Sequence, residues 1–258
     1  MEKQKQIREE SSMRAKGPRR MSFHASGLKT AAIIAMIIDH FTASILTYCL
    51  YPTLSYEMQE SCYEAIMFLR TMGRLAFPVF CFFIVEGALH TRNIKKYAGR
   101  LLLFGVISEI PFDLAIFGGA PCWEYQNVYW TLLIGLAVIA FLEKYQGKTP
   151  AIFLLRFAIM LAGLFAAYLI KSDYSVAGVL VIIAFYLCRR YRILQIAVGV
   201  VLMLWELQNI WIWIPVVLFV FLLWNYDGTR GRSMKYFFYA FYPVHLLIFG
   251  LIRMYIQL

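Results

Sequence analysis

The chain consists of long apolar stretches separated by short polar connections. The apolar stretches fall at residues 29–51, 63–90, 98–117, 127–143, 150–170, 174–188, 192–206, 208–225 and 235–256. A stretch of roughly 20 apolar residues is long enough to cross the hydrocarbon core of a bilayer as a helix. The pattern therefore predicts an all-α fold, a polytopic integral membrane helical bundle with about nine transmembrane helices.

The polar segment at the start of the chain differs from everything that follows it. Residues 1–26 are polar and basic and show no apolar periodicity. Such a segment is typical of a flexible or interfacial tail. We therefore divide the chain into a basic cytoplasmic tail, residues 1–26, and a single transmembrane domain, residues 27–258.

The distribution of Lys and Arg predicts how the bundle is oriented. Alternate connections are basic, like the tail: Arg92, Lys95, Lys96, Arg100, Lys144, Lys148, Arg189, Arg190, Arg192, Arg230, Arg232 and Lys235. The other connections hold Glu57, Glu60, Glu124, Asp173 and Glu206, with Lys171 as their single basic residue. Because cytoplasmic loops are enriched in Lys and Arg, we expect a multi-pass protein of the cytoplasmic (inner) membrane with its N-terminus in the cytoplasm.

Composition supports a membrane protein and argues against other classes. The 258 residues are 61% hydrophobic and only 16% charged, whereas about a quarter of the residues of a soluble domain are charged. The net charge of +10 does not predict a nucleic-acid partner, because the basic residues are dispersed between apolar stretches. No Cys or His cluster has metal-site spacing, so no metal is expected. Cys62 and Cys122 are either a disulfide or free thiols.

Asp39 and His40 interrupt the first apolar stretch near its middle. At about 1.5 Å rise per residue they lie some 15–18 Å inside the helix, close to the bilayer midplane. An ionisable side chain at that depth costs roughly 2.5–3.5 kcal/mol on insertion scales and marks a candidate functional site. The alternative is structural, with Asp39 paired to an Arg and His40 hydrogen-bonded in the bundle. His40 is the candidate for proton transfer because histidine titrates near neutral pH.

The second stretch places arginines at the same depth. Arg70 and Arg74 are four residues apart and share a helix face. Gly73 permits close approach of a neighbouring backbone, and Pro78 can kink the helix and free carbonyl groups. An ion pair between Arg74 and Asp39 is one interpretation, and binding of an anionic ligand by Arg74 is the other.

Two further stretches carry polar residues at membrane depth. Glu109 and Asp113 share a face of the third helix, where they serve either as acid and base or as partners for arginines. Tyr242 and His245 share a face of the last helix, and Pro243 interrupts its hydrogen-bond ladder. His245 is either a second reactive histidine or a satisfied core residue. Asp39, His40, Glu109 and His245 are the catalytic candidates.

A second group of candidates lies at the cytoplasmic end. Arg and Lys bind phosphate, and glycines let backbone amides approach it. The residues there proposed to bind a phosphorylated ligand are Glu86, His90, Arg92, Lys96, Arg100 and Arg230, and Arg74, which lies deeper in the membrane, is proposed to bind the same ligand. Ordinary positive-inside bias explains the same basic residues without a ligand.

The motifs taken together resemble one family. They are Ile38-Asp39-His40, Gly73-Arg74-Leu75-Ala76-Phe77-Pro78, Glu86-Gly87 with His90-Thr91, Tyr97 with Arg100-Leu101, Ser108-Glu109-Ile110-Pro111-Phe112-Asp113, Gln126-Asn127-Val128 and Phe238-Tyr239 through Tyr242-Pro243-Val244-His245-Leu246. Their ordered set resembles the TraX family from about residue 27 to residue 250. The basic tail before residue 25 lies outside the resemblance.

The resemblance implies an acyltransferase. TraX proteins are associated with N-terminal acetylation of conjugative pilin, and they look like distant members of a membrane acyltransferase superfamily that includes heparan-alpha-glucosaminide N-acetyltransferase. In that superfamily a histidine of an early membrane helix is central, which makes His40 the first catalytic candidate and acetyl-CoA the expected donor. The acceptor is left open between a peptide N-terminus, a glycan and a lipid.

Residue chemistry is compatible with acyl transfer and with two rivals. His40 is expected to act as general base or to accept the acetyl group, with Glu109 and His245 orienting it or relaying protons. A proton-coupled transporter using Asp39, His40 and Glu109 as a relay is the first rival. A nonenzymatic membrane assembly partner is the second. Transfer of acetyl from acetyl-CoA discriminates the first hypothesis from both.

Overall fold

The structure is a computed structural model that describes residues 22–205, 209–232 and 234–257. In these ranges the chain is built from helices and connections, and β-structure is limited to two isolated bridges, Phe23 with Tyr226 and Gln126 with Ser172. The predicted all-α fold is therefore confirmed for this part of the chain. Most of the predicted tail and Glu206 lie outside the described residues.

The helices follow one another with short connections. They are α1 Ala25–Phe41, α2 Tyr56–Gly73, α3 Ala76–His90, α4 Ile94–Ile116, α5 Val128–Lys144, α6 Pro150–Ile170, α7 Ser175–Leu187, α8 Arg192–Trp205, α9 Trp213–Trp224 and α10 Lys235–Gln257. A π-helix, Thr42–Leu50, and a 3-10 turn, Tyr51–Thr53, continue α1. A second 3-10 turn, Ile210–Ile212, leads into α9.

Among the described residues, four helical stretches are long and apolar enough to cross a membrane. They are Ala25–Thr53, Tyr56–His90, Pro150–Ile170 and Lys235–Gln257. Helices α7, α8 and α9 are apolar but shorter. The 13 residues of α7 span only about 20 Å at the rise of an α-helix, against a hydrocarbon core of about 30 Å. A helical membrane protein is supported, whereas the predicted count of about nine transmembrane helices is not confirmed.

The second apolar stretch is divided where one continuous helix was predicted. Helix α2 ends at Gly73 and α3 begins at Ala76, so that Arg74 and Leu75 lie at the break. Pro78 has no N–H with which to bond the carbonyl of Arg74, four residues earlier, and its ring crowds that carbonyl. The predicted effect of Pro78 is therefore seen one turn before the proline itself.

The chain changes its winding directly after His40. From Thr42 to Leu50 it forms a π-helix, in which the hydroxyl of Thr47 donates to the carbonyl of Thr42 at 2.8 Å. Wider winding of this kind is rare and occurs often at functional sites. Apolar periodicity alone predicted a uniform helix here, because it does not distinguish the two windings.

Helices α4 and α10 pack closely along the catalytic candidates that they carry. A Cβ atom on Gly250 would lie 3.1 Å from the backbone nitrogen of Ala115, so only glycine permits this approach. The buried Arg253 donates from Nη1 to the carbonyls of Ala115 and Ile116 at 3.0 and 2.8 Å. These contacts fix the position of α10 beside α4.

Helix α6 presents an apolar surface outward. Its buried residues are the small Gly163 and Ala167, while Phe153, Leu154 and Phe165 are 75%, 67% and 61% exposed. Exposed apolar surface on this scale is typical of a membrane or protein contact.

The five cysteines are free thiols, so the alternative of a bond between Cys62 and Cys122 is not realised.

Candidate functional site

The two histidines predicted from separate apolar stretches lie in direct contact. Nδ1 of His40 is 2.7 Å from Nε2 of His245, and the ring planes are nearly parallel, with centroids 5.0 Å apart. His40 stands one residue before the end of α1, and His245 lies inside α10 and is buried. Helices distant in sequence therefore bring the two imidazoles together.

The hydrogen bonds around His245 define which nitrogens carry protons when both rings are neutral. Nδ1 of His245 is 2.8 Å from the carbonyl oxygen of Phe241, and a carbonyl oxygen only accepts. His245 must then carry its proton on Nδ1, which leaves its Nε2 as an acceptor. His40 donates to it from Nδ1, so Nε2 of His40 holds a lone pair. A ring nitrogen of this kind is the form that a general base requires.

Aromatic rings surround the histidine pair. Tyr242 packs edge-on against both imidazoles, with centroids 5.9 Å from His40 and 5.7 Å from His245. Phe241 stacks on His245 at 5.0 Å, and Phe249 contacts its edge at 5.8 Å. Of these three aromatic residues, Tyr242 is the one with a hydroxyl group that can donate a hydrogen bond.

Asp39 pairs with Arg70, and Arg74, the partner that the sequence suggested, lies within electrostatic range of the same carboxylate. Nη1 of Arg70 lies 2.7 Å from Oδ1 of Asp39 and 3.3 Å from its backbone oxygen. The close approach predicted for Gly73 is confirmed, because a Cβ at that residue would overlap the Cβ of Asp39. Arg74 lies at the break between α2 and α3, directly after the last residue of α2.

Asp173 is a site residue that sequence reasoning missed. It lies in the turn between α6 and α7 and within electrostatic range of Asp39, Arg74 and Tyr242. The hydroxyl of Tyr125 donates to its carboxylate at 3.1 Å, and that of Thr131 donates to its backbone oxygen. In the sequence, Asp173 is only one of several acidic residues in the outer connections. The apolar stretch that follows it and ends at Cys188 is short for a membrane-spanning helix, and this was the available signal that Asp173 lies inside the bundle.

Glu109 and Asp113 accept hydrogen bonds from different parts of the structure. Oε1 of Glu109 accepts from Nδ2 of Asn127 at 2.7 Å and from the indole of Trp130. Asn127 also caps α5, because its Oδ1 accepts from the Tyr129 nitrogen. Asp113 instead accepts from the backbone nitrogen of Cys122 at 2.7 Å and so holds the loop after α4. The described contacts of Glu109 join it to α5 and not to the histidine pair.

A group of basic residues lies at one end of the bundle. We call it the basic mouth, and it consists of Lys29, Arg100, Arg230 and Lys235. Lys235 lies within electrostatic range of Arg100 and Arg230, and Lys29 within range of Arg230. The Arg100 guanidinium carbon is 5.6 Å from the Tyr97 ring and 5.8 Å from the Tyr239 ring. Lys29, which sequence reasoning did not select, is 4.7 Å from the Phe83 ring.

A path of aromatic residues runs from the basic mouth to the histidines. Arg100 donates to the hydroxyl of Tyr239, and the hydroxyl of Tyr129 donates to the Tyr239 carbonyl at 2.9 Å. The Tyr129 ring meets that of Tyr242 with centroids 5.1 Å apart. The two ends of the candidate site are therefore physically connected.

The remaining predicted residues lie at the edge of the basic mouth. Arg92 and Lys96 are exposed at the turn between α3 and α4, where Asn93 caps α4 by accepting from the Lys96 nitrogen. His90 is exposed and bonds the carbonyl of Glu86 at 2.8 Å within its own helix. Glu86 is half-buried and lies within electrostatic range of Tyr226.

The connection that carries Arg230 is tied to the start of α1. The nitrogens of Ala25 and Ser26 donate to the carbonyls of Thr229 and Arg230 at 2.8 and 3.3 Å. Nδ1 of His24 lies 2.9 Å from Oδ2 of Asp227. Hydrogen bonds from Thr229 lower the pKa of Asp227. Arg230 is thereby held beside α1 rather than on a free loop.

Within the described ranges, His, Cys, Asp and Glu side chains form no group of three or more that could hold a metal ion. The arrangement offers instead a base at His40, an ion pair beside it and a cationic, aromatic entrance at one end. These groups can bind an anionic ligand and move a proton at a buried position.

Comparison with known proteins identifies the family. The sequence model described as TraX protein matches residues 24–253. A probable fimbrial assembly protein from Dichelobacter nodosus, FimC of serogroup H1, is 32% identical over 259 residues, which cover 93% of this chain and 99% of that protein. No solved structure matches the chain. The match over nearly all of residues 27–258 confirms the resemblance of the sequence motifs, and the chain belongs to the TraX family.

Proposed function

We propose that this protein is an integral membrane acetyltransferase that moves an acetyl group from acetyl-CoA to an amine or hydroxyl acceptor. The observation that carries the proposal is the histidine pair. The bond from Nδ1 of His40 to Nε2 of His245, at 2.7 Å, leaves Nε2 of His40 unprotonated. A half-buried imidazole with a fixed tautomer is suited to remove a proton from an incoming nucleophile.

His40 acts as the general base in this proposal. The acceptor nitrogen or oxygen forms a bond to the acetyl carbon while the bond between that carbon and sulfur breaks. The proton leaves the acceptor for Nε2 of His40 and returns to the departing sulfur. His245 positions the imidazole of His40. Tyr242 donates a hydrogen bond from its hydroxyl group to the acetyl carbonyl oxygen, on which negative charge develops.

Asp39 and Glu109 take supporting roles. Asp39 fixes Arg70 through the 2.7 Å ion pair. Because Asp39 is adjacent to His40 in sequence, its side chain points about 100° away from that of His40 around the helix. Glu109 fixes the start of α5 through Asn127 and Trp130. Neither residue is assigned a direct part in proton transfer.

The donor is proposed to enter from the basic mouth. Acetyl-CoA supplies the activated acetyl thioester together with phosphate groups. Lys29, Arg100, Arg230 and Lys235 provide the cationic groups that phosphates require, and Tyr97 and Tyr239 provide a flat aromatic wall beside Arg100. Arg92 and Lys96 extend this cationic surface outward, with His90 and Glu86 at its edge.

The relative's description favours one class of acceptor. The protein from Dichelobacter nodosus is described as a probable fimbrial assembly protein, so a peptide N-terminus of a pilin-like protein is the first acceptor to test. A glycan and a lipid are the other two classes of acceptor.

We further propose that the chain lies in the cytoplasmic membrane with its N-terminus in the cytoplasm and with about nine crossings. The support for this topology is that basic and acidic connections alternate between successive helices.

The transporter hypothesis lacks a continuous relay among the described contacts. Asp39 bonds Arg70, His40 bonds His245, and Glu109 bonds Asn127 and Trp130. The three residues of the proposed relay therefore belong to three separate sets of contacts.

One experiment tests the proposal directly. Purified protein in lipid nanodiscs is incubated with acetyl-labelled acetyl-CoA and with a peptide that has a free N-terminal amine. Transfer of label to the peptide, or hydrolysis of the donor, is expected from the wild type and not from His40→Ala. Equal release of label by both proteins would contradict the proposal.

A further inference from the structure

A second cavity lies at the end of the bundle opposite the basic mouth. Its volume is about 440 Å³, and it is lined by Tyr51, Tyr63, Met67, Arg70, Arg74 and Asn209, among others. Tyr63 is 54% exposed and forms its rim. The lining residues come from the end of α1, from α2 and from the turn before α9, so the cavity extends from the bundle end towards its polar centre.

The cavity has the chemistry of a site for an oxyanion. Two arginines of one helix stretch contribute to its wall. A guanidinium has five N–H donors in a planar fork that matches carboxylate and phosphate. Arg70 engages Asp39 through Nη1, which leaves other donors of the same group for a ligand. Asn209 adds a carboxamide that is anchored by a 2.8 Å hydrogen bond to Thr71.

One residue of this wall also lies near the histidine pair. Arg70 lines the cavity, contacts both the carboxylate and the backbone oxygen of Asp39, and lies within electrostatic range of His40. A group bound by the arginines would therefore lie near the base. The donor entrance lies at the other end of the bundle, so donor and acceptor would meet from opposite sides.

We propose that this cavity binds the acceptor, and that the acceptor carries a carboxylate or phosphate close to the amine or hydroxyl that is acetylated. This inference rests on the proposed acetyl transfer, because it assigns that reaction its second substrate. Both oxyanions have the charge and geometry that Arg70 and Arg74 recognise. The arginines position the acceptor, and His40 removes its proton.

Direct binding tests the site without any acetyl transfer. Full-length protein in nanodiscs is dialysed to equilibrium against radiolabelled phosphate and, separately, radiolabelled propionate. The Kd of the bound anion is expected to rise at least about tenfold in Arg74→Gln, the loss typical of a hydrogen bond to a charged group. Arg74→Lys keeps the charge but loses the planar fork, so its Kd is expected to lie between those of the wild type and Arg74→Gln. Lys171→Gln removes a positive charge from an exposed turn outside the cavity and leaves the Kd unchanged.

A second variant keeps the test decisive if Arg74→Gln does not fold. Met67→Trp fills the cavity and preserves both arginines, and it is expected to weaken anion binding by a similar factor. Binding of phosphate alone or propionate alone identifies which oxyanion the site takes. Absence of binding to the wild type, or unchanged binding in Arg74→Gln or Met67→Trp, overturns the inference.

Small amines then link the site to the reaction. With acetyl-labelled acetyl-CoA, β-alanine or aminoethyl phosphate is expected to be acetylated at least about tenfold faster than ethylamine, which lacks the anion that gains the charged hydrogen bonds. Preference for ethylamine overturns the acceptor assignment. If the anions bind but no acetyl-CoA is consumed with any amine, the acetyl-transfer proposal fails, and the acceptor assignment falls with it while the anion site stands.

Discussion

The hydroxyl of Tyr129 donates to the backbone oxygen of Tyr239 at 2.9 Å, and this is the carbonyl that Pro243 leaves without a helical donor. In a regular helix the nitrogen of residue 243 would bond the carbonyl of residue 239. Proline has no N–H, so a side chain from α5 takes the place of the missing bond. The pairing connects α5 to α10 nearly two turns before His245.

Tyr129→Phe is therefore expected to destabilise the protein by about 1–3 kcal/mol, because a buried carbonyl loses its donor. Unfolding in detergent with chemical denaturant measures the change. Pro243→Ala supplies the matched background, since this substitution restores the backbone N–H and Tyr129→Phe should then cost less. An equal cost in both backgrounds would show that the loss does not come from the Tyr239 carbonyl.

His40 and His245 are expected to differ in their effect on turnover. His40→Ala should reduce acetyl transfer by roughly 10²–10⁴-fold, the usual contribution of a general base, while acetyl-CoA still binds. His245→Ala should reduce it by about 10–100-fold, as for partners that orient a functional imidazole. Single-turnover transfer and separate donor titration measure both. A well-folded His40→Ala protein with near-normal turnover would make His40 a core residue, and the base would be sought at His245 or Glu109.

Arg70 is expected to contribute to stability through its ion pair with Asp39. Arg70→Leu removes this 2.7 Å ion pair and should cost about 3 kcal/mol, the lower end of the range for breaking a buried pair. We use the lower end because 34% of the Arg70 side chain is exposed. Denaturant unfolding gives the value. Asp39→Asn should recover part of the loss in the Arg70→Leu background, and failure to do so would contradict this account.

The basic mouth predicts graded effects on donor affinity. Arg100→Gln and Arg230→Gln should each weaken acetyl-CoA binding about tenfold, because each removes a charged group from the cluster with Lys235. Arg92→Gln and Lys96→Gln, at exposed positions of the α3–α4 turn, should have smaller effects. Calorimetric titration with acetyl-CoA measures the Kd, and catalysis of the bound donor should be nearly unchanged. Unchanged affinity in all four variants would move the donor site elsewhere.

Reporter fusions test the orientation. Because basic and acidic connections alternate, fusions after Lys95 and Arg190 should report the cytoplasm, and fusions after Glu57 and Glu124 the outside. A cytoplasmic signal at Glu57 would reverse the assignment. It would also place the cavity rim and the basic mouth on the opposite sides of the membrane from those proposed.

The all-helical fold of the described residues and the polar groups inside the apolar stretches follow from local sequence patterns. Apolar stretches bounded by charged connections impose helices, because a backbone without water must satisfy its own hydrogen bonds. Local chemistry also predicted the close approach at Gly73 and the helix break associated with Pro78. Each of these properties depends on residues within about one turn of each other, which a sequence pattern can resolve.

Which of these polar groups meet depends on how the helices pack. Spacing suggested Arg74 as the partner of Asp39, and the packing brings Arg70 to within 2.7 Å of that carboxylate, with Arg74 in electrostatic range of it. The contact of His40 with His245 joins residues 205 positions apart, and the depth of Asp173 follows from how α6 and α7 pack. Each residue rotates a helix face by about 100°, so small changes such as the π-helix after His40 redirect side chains in ways that periodicity does not record.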